Sequence, residues 1–289
     1  MALHRTHPAI RMARIAGRLV LHELTARADH LFIIRADGSA PNATERAVAE
    51  RTADRISRWL NGAGIPHAVL PEKELTAGKL EGSRVLVLPY NARPTAAHLA
   101  LYRRHVEGGG KLIVCYSESE ALADLMGVAL GEALSHREPG RWAGFRFDGA
   151  PGFPKTVYQQ SWGLRLAKPV AGRGRVIAHW INAVGEPQPE PAWIETDRGY
   201  WMTHILLDDD REGKTQLLLG LIGALDPSVW SAAARHAVAT CGKIDGFGSL
   251  AESVRGIRAL AAGHPSRTGI EALLDQAEAE HRILLAHQA

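Results

Sequence analysis

Two tripeptides, Pro89-Tyr90-Asn91 and Cys115-Tyr116-Ser117, stand where an α/β sheet would place its chemistry. Each follows or ends a short run rich in Val, Leu and Ile: Val85 to Leu88 and Leu112 to Val114. Such runs are too short for helices. With a polar turn and a helical pattern after each, they read as strands of βαβ units in a parallel sheet. Ligands in open α/β sheets bind outside the carboxyl ends of the strands. A reactive or binding site is therefore expected at these turns, with Tyr90, Asn91, Tyr116 and Ser117 as binding candidates and the Cys115 thiol beside them.

Other groupings could do chemistry but read better as structure. Asp208-Asp209-Asp210 offers clustered carboxylates of the kind hard cations want. Consecutive residues cannot all point one way, and no ligand loop follows. Aspartates ahead of a helix accept from its free N–H groups and complement its dipole, so the triplet reads as a cap. His179, His204 and Cys241 lack zinc-ligand spacing. Gly108-Gly109-Gly110 precedes a strand rather than opening a helix, the reverse of a dinucleotide fingerprint, and Gly172-Arg173-Gly174-Arg175 does likewise. No metal and no cofactor is expected. Aromatics crowd residues 141–201; they fill cores first, and Trp162, Trp180 and Trp201 are the candidates for a platform that stacks on sugar rings.

The elements that must position these groups follow from periodicity. Leu31 to Ile34 is a strand ending in a turn-rich Ala36-Asp37-Gly38-Ser39. Thr44 to Asn61 is a helix with Val48, Thr52, Ile56 and Trp59 along one stripe, closed by Gly62 and Gly64. His67 to Leu70 is a second strand, and Glu74 to Leu80 a turn into Val85. A helix starts at Asn91-Ala92-Arg93-Pro94 and stops at the glycine triplet. Lys111 to Cys115 is the fourth strand, with a helix from Ser117 or Ser119 to Met126. From Arg141 an irregular β-rich section begins, with strands near Gly144 to Phe147, Arg175 to Trp180, Ala192 to Glu195 and Gly199 to His204. Gly185 to Pro191 reads as a hairpin or loop. Several of these strands should extend the same sheet. Beyond Pro227 the chain is helical: Val229 to Cys241, Ser249 to Ala262 and Gly269 to Ala289, the last an amphipathic docking helix.

Composition narrows the class. With 46% hydrophobic and 22% charged residues, the chain has the make-up of a folded globule, and it lacks the run of about eighteen apolar residues needed to span a bilayer. The 34 basic against 31 acidic residues leave only +3, and no nucleic-acid signature accompanies it, so no nucleic acid is expected. Two cysteines form no disulfide framework. Residues 1–30 are Arg-rich, with no acid before Glu23, and are expected to be a basic extension outside the main fold. A transit peptide is the other reading, whereas the continuous apolar core of a secretory signal is missing. A cytoplasmic location is favoured on these grounds.

EGGGKLIVCYS, RWAGFRF and TDRGYWMTHILLDDDREGKTQLLLGLIG together carry a resemblance. The strand–helix order and these segments resemble the class I glutamine amidotransferase-like, flavodoxin-like domain found in glycosyl hydrolase-like family 10 proteins, over Leu31 to Pro227. There such a domain accompanies a TIM barrel in one long chain, and a related domain serves trimerisation in one class of β-galactosidases. The resemblance implies Cys115 as nucleophile, His204 as base and Asp208 or Glu195 as orienting acid. It also departs from the family pattern. The family elbow needs Gly two residues either side of Cys; here Ile113 and Ser117 stand there, and no His-x-Glu follows, since Ile205 and Leu206 succeed His204. A buried core Cys115 is the simpler expectation.

The expected architecture is thus a flavodoxin-like α/β fold: a mostly parallel sheet with flanking helices, a β-rich irregular section and a C-terminal helical appendage. The expected divisions are 1–30, 31–227 and 228–289. The resemblance implies a non-catalytic accessory half, or a stand-alone relative, since no barrel fits after residue 289. Its partners would be a TIM-barrel hydrolase domain or neighbouring chain, a homo-oligomer or a carbohydrate. The rivals are a Cys115-dependent hydrolase or amidotransferase and a stand-alone interaction module.

Overall fold

The computed structural model describes residues 30–149, 152–240, 250–262 and 267–286. Residues 1–29 of the basic extension expected at 1–30, and Cys241, lie outside the described residues. The chain divides into two compact units, with the boundary between Val229 and Trp230.

In the larger unit, β1 (Leu31–Arg35), β2 (Ala68–Pro71), β3 (Val85–Leu88) and β4 (Lys111–Val114) are joined by β11 (Gly199–Met202) into five parallel strands. Their order is β2-β1-β3-β4-β11, which reverses direction at β1/β3, as a doubly wound sheet does. The sheet then continues antiparallel through β10 (Pro187–Thr196), β9 (Gly174–Ile181), β6 (Trp142–Phe147) and β7 (Thr156–Ser161), nine strands in all. A separate ribbon pairs β5 (Val128–Ser135) with β8 (Gly163–Pro169).

Alternate strand residues face opposite sides. Ile34, Leu86, Leu88, Leu112, Val114, Ile194 and Trp201 form one buried layer with Tyr102 of α2 (Ala96–Glu107), Leu122 and Met126 of α3 (Glu120–Met126) and Ala167 of the ribbon. On the other side α1 (Ala43–Gly62) packs on β1 and against α4 (Arg211–Leu225). With both faces covered, all four residues of β3 are buried, which is why it reads as a continuous apolar run rather than an alternating one.

The local signals mostly hold their places. Asn42 caps α1 by accepting from Glu45 N–H at 2.9 Å, and Gly127 closes α3 in the left-handed region (φ 73°). The helix expected from Asn91 starts instead at Ala96, because the Thr95 hydroxyl supplies the cap to His98 N–H while Asn91 is buried. Part of the expected Gly185–Pro191 loop is strand: β10 begins at Pro187, after a tight turn at Asn182 to Glu186. The ribbon and β7 have no counterpart in the sequence expectations. The smaller unit holds α6 (Leu250–Ala261) and α7 (Arg267–Ala286), tied by Arg258 to Asp275 and, at 3.2 Å, to Glu278; it also takes most of α5 (Ser228–Thr240).

The aspartate triplet does more than cap a helix. Asp210 caps α4, accepting from Gly213 N–H at 3.1 Å, and its other oxygen accepts from Tyr158 N–H at 2.8 Å. Asp209 accepts from Gln160 N–H at 3.0 Å. Two exposed donors of edge strand β7 are thereby occupied, which blocks strand addition there. Asp209 is itself held by Lys214, fully buried, whose ammonium donates to the Asp209 carboxylate at 2.7 Å and to its carbonyl. Asp209→Ala strands a buried ammonium, whereas Lys214→Met leaves a carboxylate that can reach water. Asp209→Ala should cost about 2–3 kcal/mol, somewhat under the range for a fully buried pair, and Lys214→Met should cost less. Urea unfolding midpoints of the two variants check that order.

Candidate functional site

The carboxyl ends of β3 and β4 bring the two expected tripeptides side by side. Asn91 N–H donates to the Tyr116 carbonyl at 3.2 Å and Glu118 N–H to the Ala92 carbonyl at 2.9 Å, zipping the two turns together. The Ser117 hydroxyl donates to the Ala92 carbonyl at 3.2 Å and accepts from Ser119 N–H. On this base the Tyr90 and Tyr116 rings stack, centroids 5.4 Å apart and planes 10° from parallel. Both rings are partly exposed. Asn91 and Ser117 are buried beneath them, so they support the site rather than line it.

Helix starts supply the charges around the rings. Glu45, in the first turn of α1, accepts from the Tyr90 hydroxyl. Glu118, just ahead of α3, accepts from the Tyr116 hydroxyl at 3.0 Å and pairs with Arg93 at 2.8 Å. From the ribbon, Arg165 approaches Glu120 at 3.9 Å, and its Nε is buried with no partner among the described residues. Burial, then the hydrogen bond to Glu45, pushes the Tyr90 phenol well above its ordinary value; burial, then the Glu118 charge, raises Tyr116 to about 12. Burial pushes the Glu118 carboxyl up, but the bonds from Arg93 and Tyr116 outweigh it and hold the group below its ordinary range.

The crevice at the β1/β3 reversal is filled by the chain itself. Glu72, in the 3-10 turn after β2, is 1% exposed. One carboxylate oxygen accepts from Asn91 Nδ2 at 2.8 Å and the Tyr102 hydroxyl at 3.1 Å; the other accepts from the Ser39 hydroxyl at 2.6 Å and Ser39 N–H at 3.2 Å. His98 Nδ1 stands 3.7 Å away. No spacing rule points to Glu72: Glu72-Lys73-Glu74 looks like a solvated turn.

The residues of the implied triad are not joined by hydrogen bonds among the described residues. Cys115 is fully buried, its N–H donates to the Leu88 carbonyl at 3.0 Å as a continuing strand does, and burial raises its thiol to about 12. His204 Nδ1 lies 2.8 Å from the Ile205 carbonyl and 3.1 Å from Gln159 Nε2, and burial lowers its basicity. Asp208 pairs with Arg55 at 3.3 Å, and Glu195 with Arg175 at 2.7 Å. Neither acid orients the imidazole.

The aromatic candidates separate by burial. Trp180 and Trp201 are core residues, which corrects their place on a surface platform. Trp180 donates from Nε1 to the Thr203 hydroxyl at 2.9 Å and meets Phe145 edge to face, and Trp201 packs under the ribbon. Trp162, 50% exposed, lies at the bend between β7 and β8 with His136 6.3 Å away. The described residues contain no group of three or more His, Cys, Asp or Glu side chains arranged to hold a metal ion, and no helix long and apolar enough to cross a membrane.

No protein-family model and no curated protein matches the chain. Solved structures do. A β-galactosidase from Bacillus circulans sp. alkalophilus aligns at TM-score 0.51 and 13% identity, over 76% of this chain and 35% of that one. A ThuA-like protein from Bacteroides uniformis aligns at TM-score 0.51 and 12% identity, over 74% and 93%. An α-L-fucosidase from Paenibacillus thiaminolyticus aligns at TM-score 0.50 and 12% identity, over 74% and 35%. At such identities the likeness is one of fold. The chain spans about a third of the β-galactosidase it matches.

The raised phenols carry a pH dependence. Tyr116 holds its proton more tightly folded, at about 12, than at its ordinary value of 10.0. The stability it contributes is complete below pH 10.0 and is lost as pH climbs through about 12. Glu118→Gln removes a charge that raises this value, so the fall in urea midpoint across that window should be shallower in the variant than in the wild type. Equal slopes would contradict the assignment.

Proposed function

We propose that residues 31–227 form a non-catalytic, flavodoxin-like accessory domain of the class I amidotransferase-like kind, working beside a glycoside-hydrolase-like partner. Its role is to scaffold, to help assemble subunits or to hold carbohydrate. One observation carries this reading: the Cys115 thiol is fully buried, at about 12, with no base or oriented acid in hydrogen-bonding contact among the described residues. A nucleophilic cysteine needs a thiolate, an exposed approach and an aligned base. The fold likeness to a β-galactosidase and an α-L-fucosidase, each about three times longer than the matched segment, supports the accessory role. The β-galactosidase and the fucosidase are each matched over 35% of their length, which leaves room for a separate catalytic domain in those proteins.

The rival, a Cys115-dependent hydrolase or amidotransferase, makes an opposite prediction. Under iodoacetamide at neutral pH, peptide mapping should find Cys115 unmodified in the folded chain and alkylated once urea unfolds it. Mapping by peptide is needed because Cys241 is also present. Rapid alkylation of Cys115 in the native protein would overturn the accessory reading.

A further inference from the structure

The geometry points to the Tyr90–Tyr116 pair as a platform for a neutral pyranose, a site that deepens the accessory reading above and rests on it. Stacked, partly exposed rings offer an aromatic surface of the kind that takes the C–H face of a sugar ring, whose hydrogens meet the electron-rich π cloud. Hydroxyl pairs at the edge of the sugar need acceptors and donors in forks. Glu45 and Glu118 provide the first, Arg93 and Arg165 the second. Arg165 lies close enough to Tyr116 and Glu118 for its charge to act on both.

The charge pattern selects the ligand class. Carboxylates from Glu45 and Glu118 on the ring hydroxyls disfavour phosphate or a sugar acid, while Arg93 and Arg165 disfavour an ammonium ligand. A hydroxyl-rich neutral molecule meets both signs without a net penalty. The base beneath is rigid: Glu72 takes four hydrogen bonds, one from Asn91, and Ser117 locks the neighbouring turn. Rings held by such a support lose little freedom on binding.

The test is affinity electrophoresis of the full chain in gels containing soluble galactan, xylan or mannan. At least one of these glycans should retard the wild type. Tyr116→Ala should weaken that retardation roughly tenfold, Tyr90→Phe should keep most of it because the ring remains, and Trp162→Ala should leave it unchanged. Circular dichroism of each variant checks that it is folded. Binding that survives Tyr116→Ala but disappears in Trp162→Ala would overturn the platform and leave the accessory reading standing. Absence of binding to all three glycans also overturns it, while the alkylation of Cys115 judges the accessory reading on its own.

Discussion

One four-residue strand holds the larger unit together. β11 lies parallel to β4, with Tyr200 beside Ile113 and Trp201 beside Val114, and antiparallel to β10, with Ile194 opposite Trp201. It is the seam between the parallel and antiparallel halves. Leu112 N–H donates to the Arg198 carbonyl at 2.9 Å at the point where the seam begins. The next residue is Gly199 at φ 127°, and a Cβ there would overlap the Leu112 carbonyl. Only glycine permits that approach. All four residues of β11 are buried, so the strand also anchors both packed layers.

From that seam the two ends of the sheet take different treatments. At the far edge, β7 has its outward N–H groups occupied by Asp209 and Asp210, with buried Lys214 holding Asp209 in place. At the carboxyl edge of the parallel half, the crevice where doubly wound sheets receive ligands is plugged by Glu72 and its donors. Cys115 sits behind the same edge with its backbone in ladder register. At the same edge the two tyrosines are partly exposed, their hydroxyls bonded to Glu45 and Glu118, the latter paired with Arg93. Among the described residues, this edge pairs partly exposed tyrosine rings with a fully buried Cys115 thiol.

The position of Arg165 shows how the ribbon contributes. β5 and β8 stand outside the main sheet, yet Arg165 N–H donates to the Thr203 carbonyl at 3.0 Å and its guanidinium leans toward α3. Residues from β3, β4, α1 and the ribbon thus meet at one edge. The chain separation of 120 residues between Glu45 and Arg165 is closed by the packing of the helix and the ribbon around the sheet.

The sequence by itself determined the parallel half. Short Val/Leu/Ile runs, the Ser119 start and the glycines at Gly64 and Gly127 are local signals, and β1, α1, β3, β4 and α3 lie close to where they point. It also determined that Cys115 lacks the flanking glycines of a reactive turn. The tertiary structure decided what periodicity does not encode. β5 and β8 carry mixed burial patterns and a shifted register, while β7 buries Val157, Gln159 and Ser161 in alternation, two of them polar, so a hydrophobic alternation is weak in sequence. Trp162, Trp180 and Trp201 are the same residue type, yet only the sheet packing exposes the first and buries the others. Tyr90 and Tyr116 stack because β3 and β4 are neighbours in register, and Glu72 is buried because four donors from three other segments converge on it. Local pattern reports which side of an element is apolar; which distant groups meet there depends on strand order, and that is settled only when the whole sheet closes.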